Sequence, residues 1–241
     1  MPVTVEVVGE TARQQNIDEV FSYFGYIDEK FSTYKSTSEI TRVNNGELEK
    51  AGWSEDMKTV FALSEETKVK TGGYFDITAP DGKYDPSGIV KGWAIYNAAK
   101  ILESRGSRDF YIEAGGDIQV RGENKEGENW KIGIRNPFNP KEIVKAVSVK
   151  NEGVATSGSY VRGQHIYDPK ARSEPITEIV SLTVIGPDIY EADRFATAAF
   201  AMREKGIEFI ESLKGFEGYM IDKKGVAVMT SGFGKYAKSN A

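Results

Sequence analysis

Residues 191–200 read Glu191-Ala-Asp-Arg-Phe-Ala-Thr-Ala-Ala-Phe200, which places a carboxylate and a hydroxyl in an apolar, Ala-rich segment. Asp193 and Thr197 are four residues apart and share one face of a helix. A buried carboxylate is costly unless it is paired or bound to a metal, and hard oxygen ligands of this kind suit Mg²⁺. An Asp near a helix N-terminus and a Thr bonded back to its own helix would give the same pattern, so both interpretations stay open.

The segments around this helix mix further helices with short strands. We expect helices over Ile17–Phe31, Ser54–Lys70, Val90–Ser104 and Gly206–Leu213. Strands are expected at Val3–Val8, Phe110–Ala114, Ile118–Arg121, Trp130–Arg135, Ile143–Val149, Val154–Thr156, Glu178–Ile185, Gly218–Ile221 and Val226–Met229. Consecutive strands with short turns favour antiparallel meanders and hence an α+β fold. Since no repeat or long linker interrupts the pattern, residues 1–241 are expected to form one domain.

Composition excludes several classes of function. The chain has 241 residues, of which 39% are hydrophobic and 28% are charged, with a formal net charge of -5. Because no basic stripe dominates, nucleic acid is not expected as the main partner. The sequence has no cysteine, which excludes disulfides, thiolate metal sites and a Cys nucleophile.

The N-terminal sequence Met1-Pro-Val-Thr-Val-Glu-Val-Val-Gly9 has no basic region and no long apolar run. We therefore expect no signal peptide, no lipidated Cys and no insertion of this chain into a membrane. From the sequence as written we would expect a cytoplasmic protein. A processed extracytoplasmic protein would have the same features, so the compartment stays open.

Two motifs could contact a nucleotide. Asp85-Pro-Ser-Gly-Ile-Val-Lys-Gly92 resembles a loop entering a helix, where free N–H groups attract phosphate and Lys91 could add a positive charge. The glycine spacing is not that of a Walker motif, and an ordinary capped helix explains the segment equally well. Tyr34 lies in a polar loop rich in Ser and Thr, where an aromatic ring could stack on a planar ligand or cap the edge of the core.

His165 is the single histidine of the chain. A lone histidine is usually structural. However, this one follows the polar segment Gly153-Val-Ala-Thr-Ser-Gly158 and precedes an Asp-Pro turn, which is a setting more typical of a site than of a core. Histidine is also the side chain best suited to take a proton near neutral pH. His165 is therefore a candidate general base.

Seven segments together resemble the FAD:protein FMN transferase family, also called the ApbE family. They occur in the order found in the family and span residues 32–197. The segments are Ser32-Thr-Tyr34 with Ser38-Glu-Ile-Thr-Arg-Val-Asn44, Gly73-Tyr-Phe-Asp76, Asp85 with Lys91-Gly92, Gly115-Gly-Asp117, Ala155-Thr-Ser-Gly158, His165-Ile-Tyr-Asp-Pro169, and Ala192-Asp193 with Ala196-Thr197.

The resemblance implies an α+β fold related to the T-fold and a specific activity. Members of the family bind FAD and Mg²⁺, transfer the FMN half of FAD to a Thr or Ser hydroxyl of a partner protein through a phosphoester bond, and release AMP. The partner is typically a flavin-acceptor protein that is a subunit of a membrane redox complex.

The resemblance also assigns roles to individual residues. Asp193 and Thr197 match side-chain ligands of Mg²⁺, the carbonyl of Gly88 matches a further ligand, and His165 matches the proposed general base. The FAD contacts carried over from the family are Tyr34, Phe75, Asp76, Ile77, Asp85, Lys91 and Tyr167.

The sequence departs from the family pattern at two positions near the matched segments. Glu113 replaces an Asn common in the family, and Ile77 replaces the more common Pro. Neither change removes a proposed ligand. An FAD pyrophosphatase would use the same site with water as the nucleophile, giving FMN and AMP. A non-enzymatic FAD-binding protein would not need His165, Asp193 and Thr197.

Overall fold

The computed structural model describes residues 1–159, 166–171 and 174–237. Its helices are α1 (Gln14–Phe31), α2 (Glu39–Asn44), α3 (Glu55–Lys70), α4 (Ser87–Ser104), α5 (Ile189–Ala201) and α6 (Gly206–Ser212). Its strands are β1 (Val3–Val7), β2 (Phe110–Ala114), β3 (Asp117–Arg121), β4 (Trp130–Asn136), β5 (Asn139–Val149), β6 (Gly153–Gly158), β7 (Ile179–Gly186), β8 (Glu217–Asp222) and β9 (Ala227–Met229). This mixture confirms the α+β fold class.

Seven of these strands form one antiparallel sheet in the order β1-β2-β3-β6-β7-β8-β9. The remaining two, β4 and β5, pair with each other in a separate two-stranded sheet. A two-residue turn, Gly115–Gly116, joins β2 to β3, and both glycines have positive φ (61° and 95°). Such a turn matches the twist of the strands and is most easily formed by glycine.

The main sheet is covered on both faces. Helices α4 and α5 pack on one face against residues such as Phe110 and Ile112 of β2. The β4–β5 hairpin covers part of the other face, where Val120 packs with Trp130 and Ile132. Because β3 is covered on both sides, four of its five residues are buried, whereas β2 alternates between buried and partly exposed residues.

Most expected elements are present with shifted ends, and one was missed. The stretch after Tyr34, interpreted as a polar loop, contains α2, whose first turn is capped by Ser38 accepting a hydrogen bond from the Thr41 N–H (3.2 Å). A six-residue helix is too short for a hydrophobic repeat to reveal it. Strand β5 begins at Asn139, four residues before the expected start. The sequence does not reveal this part of the strand, because residues 139–144 are all exposed and show no alternation of apolar and polar positions.

None of the helices in the described part of the chain combines the length and the apolar content that a membrane crossing needs.

Helix α5 is the central buried helix. Asp188 caps it by accepting a hydrogen bond from the Glu191 N–H (2.9 Å), so Asp193 lies inside the helix and not at its N-terminus. The guanidinium of Arg194 is also buried, with 1% of its side chain exposed, and it forms ion pairs with Glu191 (2.6 Å) and Glu66 (3.3 Å). Since Glu66 belongs to α3, this buried charge links α5 to α3.

Helices α4 and α5 approach each other most closely at Gly92. A Cβ atom added to Gly92 would lie 2.6 Å from the Cβ of Asp193 and 2.8 Å from the carbonyl oxygen of Ile189. Both distances are shorter than non-bonded contacts allow. The absence of a side chain at Gly92 therefore sets the separation of the two helices.

This packing predicts opposite effects for one substitution at two helical glycines. Gly25→Ala, at an exposed position of α1 with no atom within 4 Å of the added Cβ, should stabilise the protein by about 0.5–1 kcal/mol through helix propensity. Gly92→Ala gains the same propensity but forces α4 away from α5, and should destabilise the protein by about 1–3 kcal/mol. Urea unfolding of both variants measures the difference. A stabilised Gly92→Ala variant would contradict the helix contact.

Candidate active site

A cavity of about 560 Å³ lies between the N-terminal half of α4, helix α5 and the β4–β5 hairpin. Residues of β3 and β6 also line it, as does the glycine turn between β2 and β3. The residues from the expected site that line it are Phe75, Asp76, Asp85, Gly88, Lys91, Tyr167, Asp193 and Thr197. Segments that are up to 122 positions apart in the sequence therefore meet in one cavity.

Asp193 is a buried carboxylate at the α4–α5 contact, with 3% of the residue exposed. Its Oδ2 accepts a hydrogen bond from the Gly92 N–H (2.7 Å), and its Oδ1 lies 3.8 Å from Nζ of Lys91. Burial raises the pKa of the Asp193 carboxyl well above its usual value, while Lys91 opposes this rise and Asp117 adds to it. A further cation at this position would favour the ionised carboxylate.

Lys91 joins Asp193 to a second buried acid. Its Nζ lies 2.7 Å from Oδ2 of Asp117, the first residue of β3. The other oxygen of Asp117 accepts a hydrogen bond from the Thr156 N–H of β6 (3.2 Å). Lys91 thus lies between two carboxylates, one on a helix and one on the sheet, and it lines the cavity together with Asp193.

Thr197 lies against the first turn of α4. A Cβ atom added to Gly88 would be 3.0 Å from Cγ2 of Thr197, 3.7 Å from its Oγ1 and 3.2 Å from the ring of Phe75. Gly88 and Gly92 are one helical turn apart on α4, and Thr197 and Asp193 are one turn apart on α5. Gly88 therefore faces Thr197 and Gly92 faces Asp193 along one line of contact between the helices. The glycine at position 88 leaves room for the Thr197 side chain beside the α4 backbone.

The oxygen atoms at the contact between α4 and α5 have the chemistry that Mg²⁺ requires. The donor set would be the Asp193 carboxylate, the Thr197 hydroxyl and the Gly88 carbonyl, all of them hard oxygen ligands. Among the described residues, no group of three or more His, Cys, Asp or Glu side chains could hold a metal ion. Three protein ligands would leave the other positions of the ion to waters or substrate phosphates, which is how Mg²⁺ is commonly bound.

The first turn of α4 offers an anion site next to these oxygens. Oδ1 of Asp85 accepts a hydrogen bond from the Ser87 N–H (3.0 Å), and the Asp85 N–H donates to the carbonyl of Ile77 (2.8 Å). These bonds fix the loop that leads into the helix. Ser87 and Gly88 line the cavity, where the helix dipole favours negative charge.

A second loop is fixed by Asp76 and Tyr167. Oδ1 of Asp76 accepts a hydrogen bond from the Thr78 N–H (2.9 Å), and Oδ2 lies 3.1 Å from Nζ of Lys68. Burial favours a higher pKa for Asp76, but the Thr78 N–H and Lys68 outweigh it and hold the pKa below its usual value. The Tyr167 hydroxyl lies 2.8 Å from the carbonyl of Thr78 and so ties the 166–171 segment to this loop.

Three members of the expected set lie elsewhere or cannot be placed. Tyr34 is 98% exposed and Ile77 contributes its main-chain carbonyl to the Asp85 loop, and neither lines the cavity. His165 lies outside the described residues. The roles expected for all three stay predictions.

The structure adds cavity residues that the sequence did not single out. Asp117, which does not itself line the cavity, forms an ion pair with the cavity residue Lys91. The β4 segment Lys131–Arg135 was expected to be a strand, yet it also forms a cavity wall. The alternation of Lys131 and Arg135 with Ile132 and Ile134 was a signal that one face of this strand is polar and accessible.

Solved structures share this fold. The ApbE protein from Thermotoga maritima superposes with a TM-score of 0.87 at 21% identity, covering 98% of this chain and 96% of that chain. The flavin transferase ApbE from Vibrio cholerae gives a TM-score of 0.83 at 22% identity, covering 97% and 95%. At these identities the similarity establishes the fold.

Sequence relatives identify the family. An FAD:protein FMN transferase from Klebsiella pneumoniae is 32% identical over 161 residues, which is 63% of this chain and 46% of that protein. The protein of the same name from Escherichia coli K12 is 30% identical over 166 residues, which is 65% and 47%. The alignment thus spans about half the length of these curated relatives. The ApbE family profile matches residues 1–81 and 79–220, and the chain therefore belongs to the ApbE family.

Proposed function

We propose that this chain, acting as one domain over residues 1–241, is a Mg²⁺-dependent FAD:protein FMN transferase. It would transfer the FMN half of FAD to a Thr or Ser hydroxyl of an acceptor protein and release AMP. The observation that carries the proposal is the buried Asp193 carboxylate, which meets Lys91 and the first turn of α4 inside a nucleotide-sized cavity. The activity named for the bacterial relatives supports the same conclusion.

The arrangement suits cleavage of a pyrophosphate. The first turn of α4 and Lys91 would bind the phosphate oxygens of FAD, and Phe75 would contact the nucleotide. Asp193, Thr197 and the Gly88 carbonyl would hold Mg²⁺, which when bound supplies charge neutralisation at the phosphates. In this way the site would stabilise charge without a covalent enzyme intermediate.

The transfer exchanges the phosphoanhydride bond of FAD for a phosphoester bond to the acceptor. The acceptor hydroxyl oxygen bonds to the phosphorus of the FMN half, the bond from that phosphorus to the bridging oxygen breaks, and AMP leaves with that oxygen. His165 is proposed to take the hydroxyl proton. The acceptor is proposed to be a flavin-carrying subunit of a membrane redox complex.

Two other functions are separated from transfer by simple observations. An FAD pyrophosphatase would release FMN and AMP rapidly without an acceptor. A non-enzymatic FAD-binding protein would bind FAD without any turnover. The juxtaposition of Asp193, Lys91 and the Gly88–Thr197 contact favours an enzyme, because plain binding does not require a buried carboxylate beside the anion site.

The proposed activity predicts a defined mass change. A candidate acceptor subunit incubated with this protein, FAD and Mg²⁺ should gain the mass of an FMN group, with AMP appearing in equal amount. Mass spectrometry of the acceptor and chromatography of the nucleotides measure both products, and a chelator should abolish them. AMP with free FMN and an unmodified acceptor would instead support the pyrophosphatase. FAD binding without AMP would support the non-enzymatic alternative.

We predict that Asp193→Ala abolishes Mg²⁺-dependent turnover of FAD, because it removes the one charged ligand of the proposed metal site. Mg²⁺ should raise the melting temperature of the wild type by binding the folded state, and this shift should disappear in the variant. The exposed Asp18→Ala is the matched control and should keep both responses. Turnover or a Mg²⁺ shift that persists in Asp193→Ala would overturn the metal assignment.

We predict that His165→Ala slows transfer by roughly 10²–10⁴-fold while FAD still binds, since a general base acts on the proton and not on the nucleotide. Single-turnover kinetics measure the rate, and flavin fluorescence measures binding. If the variant loses FAD affinity instead, His165 is a binding residue.

A further inference from the structure

Strand β4 has an edge with which no other strand of the described residues pairs. Within the described residues it pairs with β5 alone, and the two strands form a sheet of their own. In an antiparallel pair, alternate residues direct both backbone N–H and C=O away from the partner strand. The pairing is irregular because β5 contains residues that have no partner on β4, namely Val144 and residues 140–142. The strand β4 itself stays regular. Its outer edge therefore carries a periodic row of donors and acceptors.

This edge faces the cavity. The cavity is lined by five consecutive residues of β4, from Lys131 to Arg135. The side chains of Ile132 and Ile134 lie on the buried face of the strand, while Lys131, Gly133 and Arg135 lie on the exposed face. A cavity that contacts residues of both faces of one strand also contacts the edge between them. The β4 edge is thus a wall of the same cavity that contains Asp193.

Natural proteins usually protect such an edge. Proline inside the strand, a bulge or a covering loop would prevent another strand from pairing with it. Residues 130–136 contain no proline, and Pro137 follows the end of β4.

Beside the edge, the 56% exposed side chain of Ile143 lies across Gly133, 2.7 Å from where a Cβ of Gly133 would be. In the part of the chain that the structure describes, this side chain is exposed and offers an apolar contact to a side chain of an added strand.

The β4–β5 hairpin carries a net positive charge. Residues 130–149 contain four basic residues and one acidic residue, in a chain whose net charge is -5. Lys131 lies 3.0 Å from Glu128, and Arg135 is exposed and has no ion-pair partner among the residues that the structure describes. The surface beside the edge therefore favours a negatively charged partner.

We propose that an extended, acidic segment of the acceptor protein binds as a third strand along the edge of β4. This inference rests on the proposed transferase function, which requires the acceptor hydroxyl to enter the cavity that holds FAD. A strand edge recognises polypeptide in particular, because its donors and acceptors repeat at the spacing of an extended backbone. Added there, the segment would present alternate side chains to the cavity, so one Thr or Ser could reach the phosphate.

The test uses the ¹⁵N-labelled protein and the synthetic peptide acetyl-Glu-Val-Asp-Ser-Thr-Ser-Asp-Val-Glu-amide. Saturable shift changes should appear at the amides of residues 131–135. Two further peptides carry N-methyl groups at alternate positions, one on the odd residues and one on the even residues. Since only one set of peptide N–H groups would face β4, one of these peptides should lose binding and the other should keep it. Equal binding of both, or shifts confined to other regions, would overturn the proposal.

A charge exchange gives an independent check. A peptide with Lys in place of each Glu and Asp should bind the wild type more weakly by roughly five- to tenfold. The variant Arg135→Glu should reduce or reverse the preference for the acidic peptide. It should also bind the basic peptide more tightly than the wild type does, which a misfolded variant would not do. An unchanged preference in Arg135→Glu would remove Arg135 from the docking surface and contradict the proposed charge selection.

The outcome separates this inference from the proposed function, because peptide binding is measured without FAD. AMP release from FAD with no response at β4 would overturn the docking site and leave the transferase intact. A β4 response that follows the N-methyl pattern, in a protein that never turns over FAD, would retain the strand-addition site and overturn its role in FMN transfer.

Discussion

The close contact between α4 and α5 is the constraint on which the site depends. Two glycines on α4, Gly88 and Gly92, face Thr197 and Asp193 on α5 at the same one-turn spacing. Because the glycines have no side chains, the α4 backbone lies beside the carboxylate and the hydroxyl. Any larger residue at these positions would separate the helices and also move the oxygens apart. The packing of the core and the geometry of the site are therefore the same interaction.

Buried charge is placed around this contact in compensated groups. Lys91 lies between Asp193 and Asp117, so two acids share one base. A divalent cation at this position would favour the ionised form of Asp193, which gives a physical reason for the donor set. One residue further along α5, Arg194 pairs with Glu191 and Glu66 and holds the helix against α3. Each buried charge thus both orients α5 and depends on partners from another element.

The cavity combines two walls of different character. The α4–α5 wall offers a helix N-terminus, an ammonium group and hard oxygen ligands, which suit phosphates and a metal. The β4 wall offers backbone donors and acceptors with basic side chains, which suit an extended acidic polypeptide. Because a group transfer needs both reactants in contact, two regions of one cavity with separate preferences would bring FAD and the acceptor together. Residues of β3 and β6 in the main sheet line the same cavity.

The sequence by itself determined the elements with strong periodicity, the α+β class and the segments that converge on the cavity. Local patterns carry this information because hydrophobic repeats and turn residues act over a few positions. Only the tertiary structure decided that Asp117 pairs with Lys91, that Tyr34 lies outside the cavity lining, and that β4 forms a wall. Those facts depend on which distant segments meet across the sheet, and side-chain packing sets that arrangement.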